Sequence, residues 1–126
     1  MKYTLISTLL FILLLGFIGF MDYNFEKLCT TVTEQSNTIE SLIDVNDWVA
    51  AYESSLTLLK KIEDKKTLSS IYINHTDFDA LNNEALRLSS YIESMNSCDS
   101  KASVTVLKST TENIKNINKL NLKNIL

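Results

Sequence analysis

Proline is absent from this 126-residue chain, and glycine occurs only at Gly16 and Gly19. These two residue types most often end helices and form turns, so their absence after residue 21 predicts long helices. The chain also lacks a phosphate-binding loop, a nucleophile triad and a cluster of metal ligands. We therefore predict no enzymatic activity and no cofactor.

Positive charge is also scarce. The formal charge is −3, and the part of the chain after Met21 carries 15 acidic residues against 11 basic ones. This balance gives no broad attraction for a phosphate backbone, so nucleic acid is not expected as a partner. The roughly 105 residues that follow the first segment are enough for one modest domain.

A long apolar run lies near the start of the chain. Tyr3 to Met21 is 19 residues without a charge, and a helix of that length spans roughly 28 Å, close to the thickness of a hydrocarbon core. A cleavable signal peptide is the alternative, but its apolar region is usually shorter and ends in small residues, whereas this run ends in Phe20 and Met21. We predict a retained single-pass transmembrane anchor at residues 1–21.

The charges that flank this run predict its orientation. Lys2 and the amino terminus are positive, whereas Asp22 and Glu26 precede Lys27 on the other side. Since the more positive flank of a span usually stays inside, the N-terminus should be cytoplasmic. Residues 22–126 would then form an extracytoplasmic domain at the cell membrane.

Beyond the anchor, apolar residues recur at the three- and four-residue spacing of amphipathic helices. We therefore predict an all-α fold, in which the transmembrane helix continues into an antiparallel bundle of about four helices. The predicted apolar stripes are Leu28, Val32, Ile39, Leu42 and Ile43; Trp48, Tyr52, Leu56, Leu59 and Ile62; Leu81, Ala85, Leu88, Tyr91, Ile92 and Met95; and Val104, Leu107, Ile114, Ile117 and Leu120.

Polar residues predict where the helices begin and end. The first helix should end near Ile43, and Asp47 should cap the second helix. Thr76 stands three residues before Asp79, which is the spacing of a capping box, and this places the start of the third helix there. The stretch from 63 to 74 fits either a helix or a short extended piece, and we predict a helix.

A second joint lies at residues 96–100, and we expect the fourth helix to open from its last two residues. That helix should stop before an uncapped tail, residues 121–126. The two joints are about fifty residues apart, which hints at a duplicated helical hairpin. Ala51 and Ala102 match at that spacing but few other residues do, so an antiparallel bundle with short loops is favoured over a helical repeat.

Several short motifs can be compared with known families: Asn46-Asp47-Trp48, residues 73–79, Leu88, Tyr91-Ile92 and residues 122–126. Together with the layout, they resemble the bacterial family catalogued as domain of unknown function 4363. The resemblance covers essentially the whole chain. It implies a short membrane-anchored helical protein of the kind found in clostridia and their relatives, and it implies no catalytic mechanism.

The main basic cluster is formed by Lys60, Lys61, Lys65 and Lys66. If the second helix runs back toward the membrane for about 20 residues, it covers roughly 30 Å and returns these lysines to headgroup level. Each lysine near an anionic surface contributes about 1 kcal/mol. The alternative is a solvated helix face, since acidic residues interrupt the cluster.

His75 is the single histidine and stands beside Asp77 and Asp79. Imidazole and carboxylates can act as metal ligands or as an acid and base pair. This spacing at one helix start lacks the separated ligands that a closed metal site needs, so no metal is predicted. We treat the three residues as a candidate interaction surface.

Cys29 and Cys98 are expected to be unpaired thiols. Cys29 lies about 22 Å along a helix from the first joint, whereas Cys98 lies at the second joint, and an up-down bundle places both joints at the same end.

We expect a membrane-anchored, extracytoplasmic helical interaction module that contacts lipid through its anchor and binds another membrane or envelope protein. The alternative function is a small-ligand sensor or carrier, with a pocket lined by Trp48, Tyr52, Tyr72 and Tyr91. The sequence indicates no oligomeric state.

Overall fold

The structure, a computed structural model, describes residues 1–66 and 75–125. This part of the chain is almost entirely helical and contains no strand, which confirms the all-α prediction. Most of the stretch that fitted either a helix or an extended piece, residues 67–74, lies outside the described residues. The described helices are α1 (Lys2–Asp44), α2 (Trp48–Asp64), α3 (His75–Glu93) and α4 (Ser97–Ile125).

The helices form an up-down bundle, as predicted. Helix α1 packs against α2 and α4, and α3 packs against the same two helices. Between α1 and α4, the Lys108 ammonium donates to Glu40 at 3.0 Å, and Lys101 donates to Asp44. The hydrogen bond to Asp44 raises the pKa of Lys101. We call the end that holds the joints at 45–47 and 94–96 the distal end, and the opposite end the proximal end.

Apolar side chains from all four helices meet in one core. Burying each large aliphatic or aromatic side chain contributes about 1.5–3 kcal/mol to folding, so this core holds the bundle together. Its members are Phe25, Leu28, Cys29, Val32, Ile39 and Ile43 on α1; Ala51, Leu58 and Ile62 on α2; Phe78, Leu81, Ala85, Leu88 and Ile92 on α3; and Val104, Leu107 and Ile114 on α4.

The face of α2 that is buried in the structure is rotated by part of a turn from the predicted apolar stripe. Leu56 is 42% exposed, whereas Ala51 and Ser55 are buried. Small side chains therefore face the core at two positions of α2, and the larger Leu56 points away from it. The predicted Trp48 and Tyr52 are half-buried at the edge of this core.

Three residues predicted to be buried near the ends of helices are exposed. Met95 is 66% exposed and follows the last turn of α3, while Ile117 and Leu120 on α4 are 50% and 61% exposed. Helical periodicity identifies a face of a helix, but it does not show where that face loses its packing partner.

Three predicted helix ends were also wrong. Helix α3 is described from His75, so Thr76 lies inside the helix and not at its cap. Helix α4 starts at Ser97, before the predicted opening, and continues to Ile125 through most of the predicted uncapped tail.

The two joints share one backbone design. Asn46 and Met95 adopt left-handed conformations, with φ of 60° and 55°, and the amide after each donates to a carbonyl five residues earlier. This is the Schellman arrangement that closes helix C-termini. The next side chain caps the following helix: Asp47, as predicted, accepts from the Ala50 amide at 3.2 Å. Asn96 accepts from the Asp99 amide at 3.0 Å.

These features repeat at a spacing of 49 residues, from Asn46 to Met95. Gln35 donates to Ser54 at 2.8 Å in the first hairpin, and Ser103 donates to Glu84 at 2.8 Å at the equivalent place in the second. The bundle is therefore a pair of similar helical hairpins. The register that matched Ala51 with Ala102 was wrong by two residues.

The two hairpins differ at two buried positions, where one hairpin has a serine and the other has an alanine. The hydroxyls of Ser36 and Ser100 have no hydrogen-bond partner in the described structure, and the equivalent residues in the other hairpin are Ala85 and Ala51. A buried hydroxyl without a partner loses its bonds to water and gains none in return.

Replacing Ser100 with alanine should therefore raise the free energy of unfolding by about 1 kcal/mol, because it removes an unsatisfied hydroxyl and favours the helix. The matched control is Ser103→Ala, three positions along the same helix. It should lower the free energy of unfolding by about 1–3 kcal/mol, because the buried Glu84 carboxylate loses a donor. Denaturant titration of the full chain in detergent micelles measures both changes. Equal destabilisation by the two substitutions would contradict this account.

Candidate membrane and binding surfaces

The first half of α1 is an apolar rod that packs against nothing in the described structure. Its large apolar side chains are exposed, from 44% at Leu15 to 87% at Tyr3, except for the half-buried Ile18. Burial begins abruptly at Met21, which is 2% exposed, and continues at Phe25. The chain thus has one helix near its N-terminus that is long and apolar enough to cross a membrane. A helix that is apolar on all sides is typical of a membrane span.

At the proximal end, a cleft of about 280 Å³ opens between α1 and α2. Lys61 and Lys65 line it together with Lys27 of α1. The other two lysines of the predicted cluster, Lys60 and Lys66, are exposed and lie outside this lining. Sequence analysis missed Lys27 because its relation to α2 depends on the antiparallel register of the two helices.

Charge is distributed unevenly along the bundle. The proximal half, residues 22–33, 58–66, 75–82 and 112–125, carries eight basic and seven acidic residues. The distal half, residues 34–57 and 83–111, carries three basic and eight acidic residues. An anionic surface is therefore repelled by the distal end much more than by the proximal end.

The distal end exposes apolar side chains at both joints. Val45, Val49 and Met95 are 71%, 72% and 66% exposed, and we call them the distal apolar residues. Met95 holds its left-handed conformation at an energetic cost that an asparagine or glycine would largely avoid. Exposed acidic residues surround this end of the bundle: Asp44, Asp47, Glu93 and Asp99.

The candidate surface at His75, Asp77 and Asp79 lies at the start of α3, and therefore at the proximal end, away from the distal apolar residues. Asp77 is half-buried and Asp79 is exposed. No group of three or more metal-binding side chains occurs among the residues that the structure describes. The role of this cluster in an interaction stays a prediction.

A second cleft, of about 230 Å³, lies between α1 and α4. Cys29 lines it with Thr33, Glu34 and Lys115, among others. Burial raises the pKa of the Cys29 thiol to about 11, against the opposing effect of Lys115. A thiol with this pKa is a poor nucleophile at neutral pH.

The aromatic residues predicted to line a ligand pocket line neither of these two clefts. Trp48 and Tyr52 pack against the core, and Tyr72 lies outside the described residues. The small-ligand alternative therefore stays a prediction.

Cys29 and Cys98 are unpaired, as predicted, but one is buried and the other exposed. At pH 8 the folded chain should react with a thiol reagent at Cys98 alone. Cys29 should react at least about 100-fold more slowly, since its raised pKa removes most of the thiolate and burial blocks access. Mass spectrometry of the labelled chain, before and after denaturation, measures this. Rapid labelling of a folded Cys98→Ser variant would show that Cys29 is accessible.

The fold and these surfaces define an all-α protein in which a four-helix bundle extends an exposed apolar helix. The chain belongs to the family described as Domain of unknown function (DUF4363), whose model matches residues 20–125. The match starts one residue before burial begins at Met21, so it covers the bundle and leaves out the apolar rod. Comparison with curated proteins and with solved structures found no match.

Proposed function

We propose that this protein is a single-pass membrane-anchored module that holds a rigid helical bundle outside the cytoplasm and binds another membrane or envelope protein. The observation that carries this proposal is the continuity of α1. One unbroken helix contains both the exposed apolar rod and the first core helix of the bundle.

Retention in the bilayer is supported by the exposure of the rod. Apolar patches on soluble monomers rarely exceed a few hundred Å², whereas here nearly every side chain from Tyr3 to Phe20 is exposed. The charges that flank the rod support a cytoplasmic N-terminus, because Lys2 precedes the rod and the acidic Asp22 and Glu26 follow it.

The partner surface is proposed at the distal end. From Met21 to Asp44, α1 rises about 35 Å, so the distal apolar residues stand well above the bilayer. Exposed apolar side chains with an acidic surround suit a partner that has an apolar spot ringed by basic residues. The strained Met95 supports this, because a costly conformation at an exposed position is typical of a functional site.

Topology can be tested with the exposed thiol at the distal end. In intact cells, a membrane-impermeant thiol reagent should label Cys98 of a Cys29→Ser variant. The matched control is a cysteine inserted between Met1 and Lys2 in a chain that lacks both natural cysteines, which keeps the Lys2 charge, and it should become reactive only after lysis. The reverse pattern would place the bundle in the cytoplasm. Recovery of the chain without the rod would contradict retention.

Partner binding can be tested with a photo-crosslinking amino acid at position 49 of the chain in its native membrane. Val49 should yield one discrete adduct, identified by mass spectrometry as a membrane or envelope protein. The same probe at the exposed Thr57, eight residues along α2, should yield little. Crosslinks to other copies of this chain alone, or equal yields at the two positions, would contradict the proposal.

A second variant separates binding from folding. Met95→Asn should raise the free energy of unfolding by about 1 kcal/mol, because asparagine tolerates the left-handed conformation better. The same change should weaken the Val49 adduct about tenfold, because it removes an apolar contact worth roughly 1.4 kcal/mol. A variant that gains stability and crosslinks normally would exclude Met95 from the partner surface.

A further inference from the structure

We propose that the proximal cleft between α1 and α2 binds the phosphate of an anionic phospholipid headgroup, and thereby holds the base of the bundle against the bilayer. This inference rests on the membrane placement proposed above, but it is independent of the orientation and of the protein partner.

The lining of the cleft suits a phosphate. Three of the four charged residues that line it are basic, Lys27, Lys61 and Lys65, against the single acidic Asp64, and the stems of the lysines share the lining with Leu28. Thr31 adds a hydroxyl. Ammonium and hydroxyl groups donate hydrogen bonds to phosphate oxygens, and the surplus of positive charge favours an anion.

The cleft lies just above the headgroup layer, within reach of its lysine side chains. Lys27 and Thr31 lie six and ten residues beyond Met21, so they stand about 9–15 Å above the end of the apolar rod. The headgroup layer extends roughly 5–8 Å beyond the hydrocarbon core. Lysine side chains are long enough to reach down into this layer while their apolar stems stay on the helix surface.

A lipid is favoured over a free phosphate ion because the anchor fixes the distance. The rod and the cleft belong to one rigid structure, so headgroups of the surrounding leaflet are present at high effective concentration. The uneven charge of the bundle supports the same conclusion, since basic and acidic residues nearly balance in the proximal half, whereas acidic residues outnumber basic ones by eight to three in the distal half.

The structure divides the four clustered lysines, two in the last turns of α2 and two just after it, into two pairs, which provides a matched control. Lys61 and Lys65 line the cleft, whereas their sequence neighbours Lys60 and Lys66 do not. Removing either pair changes the net charge by the same amount. A general attraction to an anionic surface would depend on both pairs, whereas a built cleft depends mainly on Lys61 and Lys65.

The test uses the full chain in lipid nanodiscs made of phosphatidylcholine alone, or of phosphatidylcholine with about one third phosphatidylglycerol. The melting temperature of the bundle should be higher by about 4 °C or more with the anionic lipid. Lys61→Gln with Lys65→Gln should abolish this difference, and Lys60→Gln with Lys66→Gln should leave most of it. Each variant is compared with itself in phosphatidylcholine, which removes any effect on intrinsic stability.

A third arm adds inorganic phosphate, at millimolar concentration, to the chain in phosphatidylcholine nanodiscs. An equal rise in melting temperature there would replace the lipid by free phosphate as the ligand. If both double variants lose the lipid-dependent difference in melting temperature equally, the effect is due to general surface charge and the cleft is not the site. If the natural chain shows no such difference, the proposal is overturned. Nanodiscs contain no partner protein, so these outcomes are separate from a failure of the proposed partner binding.

Discussion

The exposed apolar half of α1 imposes the constraint under which the rest of the molecule is arranged. Its side chains are stable in lipid and not in water, and the same helix then supplies Phe25, Val32 and Ile39 to the core. No glycine or proline occurs between Phe20 and Asp44 to relieve a bend. The direction of the rod therefore fixes the direction of the bundle, and with the rod in the bilayer, as we propose, the proximal and distal ends have different chemical surroundings.

The bundle consists of two similar helical hairpins. A left-handed residue and an adjacent cap close each joint within three residues, which keeps the bundle narrow and leaves both described joints at the distal end. The first hairpin places Asn46 at the left-handed position, where asparagine is well tolerated. The second places Met95 there. Comparison of the two hairpins thus shows that Met95 occupies a position where asparagine would be more stable. Met95 is also an exposed apolar side chain.

Much of this fold could be predicted from the sequence because burial follows helical periodicity in α1 and α3. The register of α2 could not, since Ala51 and Ser55 are too small to mark a core face. The duplication was visible only as a spacing, because few equivalent residues are identical. Lys27 could be joined to Lys61 and Lys65 only once the antiparallel register was known. Periodicity predicts that Met95 is a core residue, although it is exposed, because a periodic pattern does not show where a helix ends.

Hydrogen exchange of the full chain in lipid nanodiscs tests the central claim most directly. If α1 is one helix that leaves the bilayer and enters the bundle without a break, its amides should be protected continuously from the rod through residues 20–27 and into the core. Fast exchange at residues 20–27, or unprotected amides throughout the rod, would contradict the account, because the bundle would then be hinged or the rod would lie outside the lipid.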